Sequence, residues 1–119
     1  MTRTPPAEGA RISLRIDLPQ GRIGPGKIAL MEAIACEGSI SAAGRALGMS
    51  YKRAWALVDQ LNTLLAEPAV VATTGGARGG GAVLSPAGLA LVADYRAMED
   101  AAEAAAAPLL AKLVARTRA

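Results

Sequence analysis

The spacing of hydrophobic positions changes several times along this chain, and each spacing predicts a different element. Apolar and polar residues alternate over residues 12–18. This period of two is typical of a half-buried strand, with Ile12, Leu14, Ile16 and Leu18 facing inward. A segment rich in proline and glycine follows at residues 19–26 and predicts a turn.

Apolar residues then recur at helical spacing and predict a first helix. Pro25 suits the first position of this helix, and Gly38 suits the position just after its end. The apolar positions are Ile28, Leu30, Met31, Ile34 and Ala35. Cys36 lies in the same run, so we expect it to be a small buried hydrophobe without a redox or ligand role. As the single cysteine of the chain, it cannot close an intrachain disulfide.

Two further helices are predicted within residues 39–65, and their arrangement is typical of a helix-turn-helix. Ser39 or Ser41 can cap a short helix over residues 42–47, and Ser50 can cap a longer one that runs to about residue 65. Gly48 can take the positive φ that the turn between them requires.

The side chains of this segment support two helices that cross at a steep angle. Ala43 and Gly44 are small enough for the crossing, and Leu47 and Met49 are expected to anchor the turn in the core. The longer helix carries an apolar stripe at 3- and 4-residue spacing, formed by Ala54, Leu57, Val58, Leu61 and Leu65.

Beyond Pro68 the pattern predicts a hairpin followed by a long helix. Two short β-prone runs, residues 69–72 and 82–84, flank the Gly-rich residues 73–81. Ser85 and Pro86 then suit the start of a helix. Pro108 is expected to kink or break this helix before a last apolar segment.

The predicted fold is therefore mostly α with a small β-hairpin wing: a winged helix-turn-helix with a long C-terminal helix. We divide the chain into a flexible arm at residues 1–10, the winged helix-turn-helix at residues 11–85, and a dimerisation element at residues 86–119.

The exposed face of the third helix carries the candidate DNA-binding chemistry. Lys52 and Arg53 can donate hydrogen bonds to guanine acceptors or phosphates, and Ser50 and Tyr51 can bond to either. Trp55 lies at the edge of the apolar stripe, where we expect it partly in the core. A helical hairpin with merely solvated charges is the alternative interpretation of this segment alone.

The wing strengthens the DNA-binding interpretation. Its glycines let backbone N–H groups approach a phosphate or enter the minor groove, where an arginine is attracted. The DNA-binding set predicted from the sequence is Ser39, Ser41, Ser50, Tyr51, Lys52, Arg53, Trp55, Thr74, Gly75, Gly76, Arg78 and Gly79.

Composition and charge are compatible with this interpretation and disfavour others. The 119 residues are 52% hydrophobic and 19% charged, which is typical of one folded domain. The net charge of +3 is unevenly spread, with seven basic and three acidic residues over residues 11–53 and four acidic residues over residues 94–103.

The chain has no histidine and no recognisable pair of catalytic carboxylates, so we expect no enzyme, cofactor or metal site. It shows no signal peptide and no apolar run long enough for a membrane, so we expect a cytoplasmic protein.

Several of these segments together resemble a known family of regulators. They are residues 24–30, 38–43 and 48–55, where the run Ser50-Tyr51-Lys52-Arg53-Ala54-Trp55 stands out, and the split Gly-rich wing at residues 74–76 and 79–84. The chain resembles the DNA-binding domain of the ModE family of molybdate-responsive transcriptional regulators, whose winged helix is similar to that of LysR-type regulators. The resemblance covers about residues 10–110.

This resemblance implies a homodimer that binds double-stranded DNA at a palindromic operator, with the long helix pairing with its mate. The residues expected at that interface are Leu89, Val92, Leu109, Leu110 and Leu113. The chain departs from the family at Gly44, where the pattern usually has Ala. It also lacks the family's molybdate-binding domains, so we expect no molybdate binding by this chain. It is then either a stand-alone regulator of molybdenum-related genes that lacks its own sensor, or the sensor lies in another protein.

One alternative from another class stays open at this point. The chain could be a protein-interaction module that docks a partner regulator through its C-terminal helix, with the acidic residues 94–103 as the contact face.

Overall fold

Two short hairpins, three packed helices and one 30-residue helix make up the protein, which we describe from a computed structural model of residues 9–73 and 80–118. The elements in chain order are β1 (Ile16–Leu18), β2 (Gly21–Ile23), α1 (Pro25–Glu37), α2 (Ile40–Ala46), α3 (Tyr51–Leu64), β3 (Val70–Thr73), β4 (Gly81–Leu84) and α4 (Pro86–Ala115). The predicted fold class, a winged helix-turn-helix with a long C-terminal helix, is confirmed. Residues 1–8 of the predicted arm lie outside the described residues.

The N-terminal strand is shorter than its alternation predicted, and it has a partner that the sequence did not reveal. β1 pairs antiparallel with β2, with Ile16 opposite Ile23 and Leu18 opposite Gly21. Ile16 packs against the core, but Leu18 is 39% exposed, so its predicted inward position is wrong. Leu18 lies beside the turn of the hairpin, opposite a glycine that provides no side chain to cover it.

Helix α1 supplies much of the core, and its ends follow the prediction. Pro25 is its first residue, and Gly38 ends it in the left-handed region with φ 81°, donating its N–H to the Ile34 carbonyl at 2.9 Å. The fully buried positions include Ile28, Leu30, Met31 and Ile34. Cys36 is exposed, so the predicted buried thiol is wrong. It lies two residues after Ile34, which is about 200° around the helix from the buried face.

The helix-turn-helix forms around a close approach of α2 and α3. Ser39, not Ser41, caps α2 and accepts the Ala42 N–H at 3.0 Å. A Cβ on Gly44 would lie 3.1 Å from the Ala54 Cβ, which shows how closely the two helices cross. Gly48 provides the turn with φ 70°, as predicted.

The apolar stripe of α3 faces the core as predicted. Ala54, Val58 and Leu61 are buried, and Leu57 and Leu65 pack against the core at its margin. The residues around the turn differ from each other: Met49 packs against the core, whereas Leu47 is 40% exposed, so its predicted role as a core anchor is wrong. Leu47 is the C-cap residue of α2 and lies beyond the last buried residue of that helix, Gly44.

The wing is a two-stranded antiparallel sheet that is fixed to the helices at its base. β3 pairs with β4, with Val70 opposite Leu84 and Thr73 opposite Gly81. The Ala82 N–H donates to the Gly38 carbonyl at 2.9 Å, which joins β4 to the end of α1. The predicted strands are thus confirmed to within a residue or so at each end.

Helix α4 begins where the wing ends. Ser85 caps it by accepting the Gly88 N–H at 3.0 Å, and the same hydroxyl donates to the Pro68 carbonyl at 2.6 Å. Tyr95 is fully buried and its hydroxyl donates to the Leu14 carbonyl at 2.7 Å, so α4 also holds the N-terminal segment.

Pro108 lies inside α4 without ending it, so the predicted break is wrong. A proline at this position removes the N–H that would bond to the Ala104 carbonyl. Both residues are exposed, so water can bond to that carbonyl and the helix continues to Ala115.

The molecule is elongated because α4 extends beyond the packed helices. Its radius of gyration is 16.6 Å and its longest extent is 54 Å. A compact domain of this length has a radius of gyration of about 13.5 Å. The buried residues of α4 end at Glu103, and none of the described residues beyond it is buried.

Candidate nucleic-acid interface

The first turn of α3 presents a polar, basic surface. The Ser50 hydroxyl accepts the Arg53 N–H at 3.1 Å and so caps the helix. Tyr51, Lys52 and Arg53 are all exposed, Tyr51 by 60%, and this first turn contains no acidic residue. Since Ala54 and Val58 are buried in the core, Lys52 lies on the side of α3 away from the core and is exposed. The partial positive charge of a helix N-terminus adds to this attraction for an anion.

Trp55 is part of this surface and not of the core. It is 42% exposed, and its ring meets the ring of Tyr51 edge-on, with centroids 6.2 Å apart and an interplanar angle of 69°. The prediction that Trp55 lies partly in the core is therefore wrong. The crossing with α2 uses Ala54, and the next residue is turned about 100° from that contact toward the wing.

A groove of about 220 Å³ separates these aromatic residues from the base of the wing. We call it the α3–wing groove. It is lined by Ser39, Ile40, Ser41, Tyr51, Trp55, Ala72, Gly80 and Gly81. Four predicted site residues, two serines and two aromatics, therefore meet in one place. None of these lining residues carries a formal charge.

Arg45 is a residue of this surface that the sequence reasoning did not include. Its guanidinium Nη1 donates to the Ser41 hydroxyl at 2.8 Å, and the side chain is exposed at the edge of the α3–wing groove. The signal was present in the sequence, because residues four apart on a helix lie on the same face.

The base of the wing forms part of this surface. Gly81 allows the close approach of β4 to α1, since a Cβ there would lie 2.7 Å from the Thr73 hydroxyl and 2.9 Å from the Gly38 carbonyl. The predicted wing residues Thr74, Gly75, Gly76, Arg78 and Gly79 lie outside the described residues.

Asn62 fixes the wing to α3 and was also missed. Its amide Nδ2 donates to the Val70 carbonyl at 3.0 Å, and its Oδ1 accepts the N–H groups of Ala69 at 2.8 Å and Val70 at 3.1 Å. The sequence offered no signal for this, because the partners are backbone groups of the segment after the helix.

A second, larger groove lies between the β1–β2 hairpin and the second half of α3. Its volume is about 790 Å³, and its charged lining residues are Asp17, Arg22, Lys27 and Asp59. The Lys27 ammonium donates to the Arg22 carbonyl at 2.7 Å, and partial burial, together with the nearby Arg22 charge, lowers the pKa of Lys27. With carboxylates of both Asp17 and Asp59 in its walls, this groove is less suited to a polyanion than the α3–wing groove.

The acidic segment of α4 is not a free acidic face. Arg96 donates to both carboxylate oxygens of Glu32, at 2.5 and 3.1 Å, and to Glu99 at 2.6 Å. The hydrogen bond with Glu32, opposed in part by burial, raises the pKa of Arg96. Glu99 and Glu103 are each only 5% exposed, so the proposed acidic contact face is wrong for half of its acidic residues.

The residues predicted at a dimer interface fall into two groups. Leu89, Leu109 and Leu113 are 56%, 66% and 58% exposed, which is unusual for leucines. Val92 and Leu110 are half-buried, and Val92 packs against the core of its own chain.

Within residues 9–73 and 80–118 no three histidine, cysteine or acidic side chains are grouped so that they could hold a metal ion. No helix in those ranges is both long and apolar enough to cross a bilayer.

The helices and the wing that form this surface match a known protein family. The family model described as "Bacterial regulatory helix-turn-helix protein, lysR family" matches residues 26–89, which include α2, α3 and the wing. The chain is 55% identical over 78 residues to the molybdenum-pterin-binding protein MopB of Rhodobacter capsulatus, covering 66% of this chain and 29% of that protein.

Other relatives are named ModE. The chain is 44% identical over 90 residues to the molybdenum transport protein ModE of Azotobacter vinelandii, covering 76% of this chain and 33% of that one. It is 40% identical over 87 residues to the DNA-binding transcriptional dual regulator ModE of Escherichia coli K12, covering 72% and 33%. The chain thus spans about a third of the length of the curated relatives it matches.

Proposed function

The chain belongs to the lysR family of bacterial regulatory helix-turn-helix proteins, and on that premise we propose that it is a dimeric, sequence-specific regulator of molybdenum-related genes. The observation that carries the proposal is the first turn of α3, where Tyr51, Lys52 and Arg53 are exposed and Tyr51 shares a groove with the base of the wing. In a helix-turn-helix, the N-terminal residues of the second helix are those that reach base edges in the major groove.

The charges of this surface support DNA as the ligand. Lys52 and Arg53 lie at the positive end of α3, and Arg45 adds a third cation on the neighbouring helix. Arginine and lysine at the start of a recognition helix can donate to guanine O6 and N7 or to phosphates. The relatives are named as regulators or as molybdenum-binding or transport proteins, and none of these names is that of an enzyme.

The names of the relatives support the choice of target genes. ModE of Azotobacter vinelandii is named a molybdenum transport protein, and MopA and MopB of Rhodobacter capsulatus are named molybdenum-pterin-binding proteins. Because the helix-turn-helix at residues 26–89 makes up much of this chain, we propose that the chain recognises DNA sites in front of genes of molybdenum metabolism.

The exposed part of α4 supports a homodimer. Thirty residues of helix extend over about 45 Å. Leu109 and Leu113 lie one turn apart on the projecting part of α4, and both are more than half exposed. A second copy of the chain that covers these leucines would bring two α3 helices into one assembly. Dimers of this kind bind half-sites about 34 Å apart, which predicts a palindromic operator.

A binding titration against the gene's own promoter region tests the proposal. We expect a labelled promoter duplex to bind at low salt and to lose affinity steeply as salt rises, because phosphate contacts release counterions. Light scattering coupled to size exclusion should give the mass of two chains. Absence of binding to any promoter fragment at low salt would overturn the DNA-binding proposal, and a monomer mass would overturn the dimer.

A further inference from the structure

We infer that the larger groove, between the β1–β2 hairpin and the second half of α3, is a binding site for a short peptide with free ends, whose carboxylate meets Lys27 and whose ammonium meets Asp59. We call it the hairpin–α3 groove. Its ligand differs in chemical class from DNA, and the site does not include the first turn of α3, which the proposed DNA binding uses.

The size and construction of the hairpin–α3 groove suit a small ligand. Its volume is about 790 Å³, within the range of about 300–1,000 Å³ that is usual for ligand pockets. Three elements form its walls: the hairpin with its turn, the start of α1 at Lys27, and one face of α3. On that face Asp59 and Thr63 lie one helical turn apart, so both side chains can reach the same ligand.

Lys27 provides a positive charge that no carboxylate neutralises among the described residues. Its half-buried ammonium donates to the Arg22 carbonyl at 2.7 Å, and within residues 9–73 and 80–118 it forms no ion pair. An ammonium has three N–H donors, so two remain for a ligand. Partial burial and the Arg22 charge lower the pKa of Lys27. A ligand carboxylate beside Lys27 would offset both effects, because it favours the charged form.

The hairpin side of the groove carries an excess of positive charge. The Asp17 carboxylate lies 3.4 Å from the Arg22 guanidinium and 3.7 Å from that of Arg15. One carboxylate thus serves two guanidinium groups, and Lys27 adds a third cation beside them. This side of the groove therefore attracts one further carboxylate.

The α3 side of the groove carries the opposite charge. Asp59 is exposed, and among the residues that the structure describes it has no ion-pair partner. A cation on one side and a carboxylate on the other are complementary to a ligand that has both charges. A dianion would instead be repelled by Asp17 and Asp59, whereas a zwitterion leaves the net charge of the groove unchanged.

The neutral part of the lining favours a peptide over a free amino acid. The amides of Gln20 and Gln60 and the Thr63 hydroxyl can each donate and accept, which matches the N–H and C=O groups of a peptide bond. Leu18 and Leu64 offer apolar surface for a ligand side chain. Leu18 is 39% exposed because the core does not cover it, and a ligand in the groove would.

The first experiment uses the native full chain and three peptides. Trialanine with free ends carries both charges, N-acetyl-trialanine lacks the ammonium, and trialanine amide lacks the carboxylate. Binding is followed by the amide NMR signals of Lys27, Gln60 and Thr63. We expect trialanine to bind with a Kd of about 1 mM, and each capped peptide to bind about tenfold more weakly, since it leaves one charged side chain without a partner. Unchanged signals with trialanine, or equal Kd values for the three peptides, would overturn the site.

The second experiment identifies the side chain that each end of the peptide meets. In Lys27→Met, trialanine and its amide should bind equally, because the partner of the carboxylate is gone. In Asp59→Asn, trialanine and its N-acetyl form should bind equally for the corresponding reason. Both peptides of a pair are measured on the same variant, so a change in its stability affects them alike.

Asp94→Asn is the matched control, since it removes an exposed carboxylate from α4, away from the groove. This variant should keep the roughly tenfold preference for free trialanine over the N-acetyl form. A Lys27→Met variant that still prefers trialanine to its amide, or an Asp59→Asn variant that still prefers it to the N-acetyl form, would overturn the assigned contacts.

The third readout is the pKa of Lys27, followed through the NMR signals of its side chain. Saturation with trialanine should raise the pKa, and saturation with trialanine amide should not, because only the free carboxylate stabilises the ammonium. The same pKa with and without trialanine would contradict the contact with Lys27. None of these measurements contains DNA, so their outcome is independent of the proposed function.

Discussion

Asn62 on α3 holds Val70 on the first wing strand by two hydrogen bonds, donating to its carbonyl at 3.0 Å and accepting its N–H at 3.1 Å. The same amide oxygen also accepts the Ala69 N–H at 2.8 Å. The Asn62 side chain therefore bonds to backbone groups at the start of β3 as a neighbouring strand would. The recognition helix and the wing are thus joined directly, and a duplex that contacts both meets a preformed surface.

Replacing Asn62 with alanine should loosen this connection. The substitution removes all three hydrogen bonds and leaves partly buried backbone groups of Ala69 and Val70 without these partners. We expect the free energy of unfolding to fall by about 1–3 kcal/mol, measured by urea denaturation. Affinity for DNA should fall as well, because the wing must then be ordered on binding.

Thr63→Ala is the matched control for this prediction, since Thr63 is the exposed neighbour of Asn62 on the same helix. It should change stability by no more than about 0.5 kcal/mol. If both substitutions had the same small effect, the Asn62 bonds would contribute nothing to the native state.

Gly88→Ala should destabilise the junction between the wing and α4. A Cβ at this position would lie 2.2 Å from the carbonyl oxygen of Ala69, and backbone cannot move away as a flexible side chain would. We expect a loss of about 1–3 kcal/mol in urea denaturation, the usual cost of forcing extra atoms into a packed site.

Gly26→Ala makes the same change in another helix and serves as its control. A Cβ at Gly26 meets nothing within 4 Å. This variant should be as stable as the native chain or more stable by up to about 1 kcal/mol, because alanine restricts the unfolded chain more than glycine does. Equal stabilities for the two variants would show that the close approach to Ala69 is not a constraint.

The sequence was most informative where local chemistry determines the structure. The caps at Ser50 and Ser85 and the positive-φ glycines at 38 and 48 were predicted, because each depends on a few neighbouring residues. The α3 stripe followed from its spacing for the same reason.

Features that depend on distant partners were harder to predict. The residues of β2 fall within the turn that the sequence predicts, because the pairing of β2 with β1 is set by register and not by its own residues. Cys36 belongs to a helix that is apolar on most sides, so periodicity alone could not show which residues face the core. Helix α4 continues through Pro108 because its surroundings are open, which no local pattern reveals.

Part of the candidate site also could not be predicted from the sequence pattern. The first turn of α3 was identified from residue type and position. The meeting of Ser41, Trp55 and the wing base at Gly80 required the fold, since these residues are far apart in the chain. The connection between Asn62 and the wing uses backbone groups, which carry no sequence signature.

The partly buried ion pair of Arg96 with Glu32 should be stronger than the exposed pair of Arg22 with Asp17. Arg96 bonds both oxygens of Glu32 in a partly buried site, with side-chain exposures of 28% and 42%. Arg22 and Asp17 lie 3.4 Å apart on the surface, with exposures of 61% and 62%. In double-mutant cycles with Arg96→Met and Glu32→Gln, we expect a coupling energy of about 1 kcal/mol or more.

The cycle with Arg22→Met and Asp17→Asn is the comparison for the Arg96–Glu32 pair. Because both of its side chains are well exposed to water, we expect a coupling of no more than about 0.5 kcal/mol. A coupling for Arg96 and Glu32 as small as this would show that α4 is not held to α1 through that pair.

Charging the exposed leucines of α4 should separate the proposed dimer. Leu109 and Leu113 lie one turn apart, so the double variant Leu109→Glu, Leu113→Glu places carboxylates on one face of the helix. We expect the mass measured by light scattering to fall from two chains to one. Leu18→Glu, at an exposed leucine of the β1–β2 hairpin, should remain a dimer. A double variant that stays dimeric would place the interface elsewhere.

If the first turn of α3 reads a DNA sequence, the chain must bind its own promoter more tightly than random DNA, and the two affinities are compared by anisotropy. We predict a preference for the promoter of at least about 10³-fold at physiological salt. Lys52→Ala or Arg53→Ala, where the lost side chain contacts a base, should weaken promoter binding by about 1–3 kcal/mol and reduce that preference. Equal binding of the native chain to promoter and random DNA, or an unchanged preference in both variants, would contradict the account.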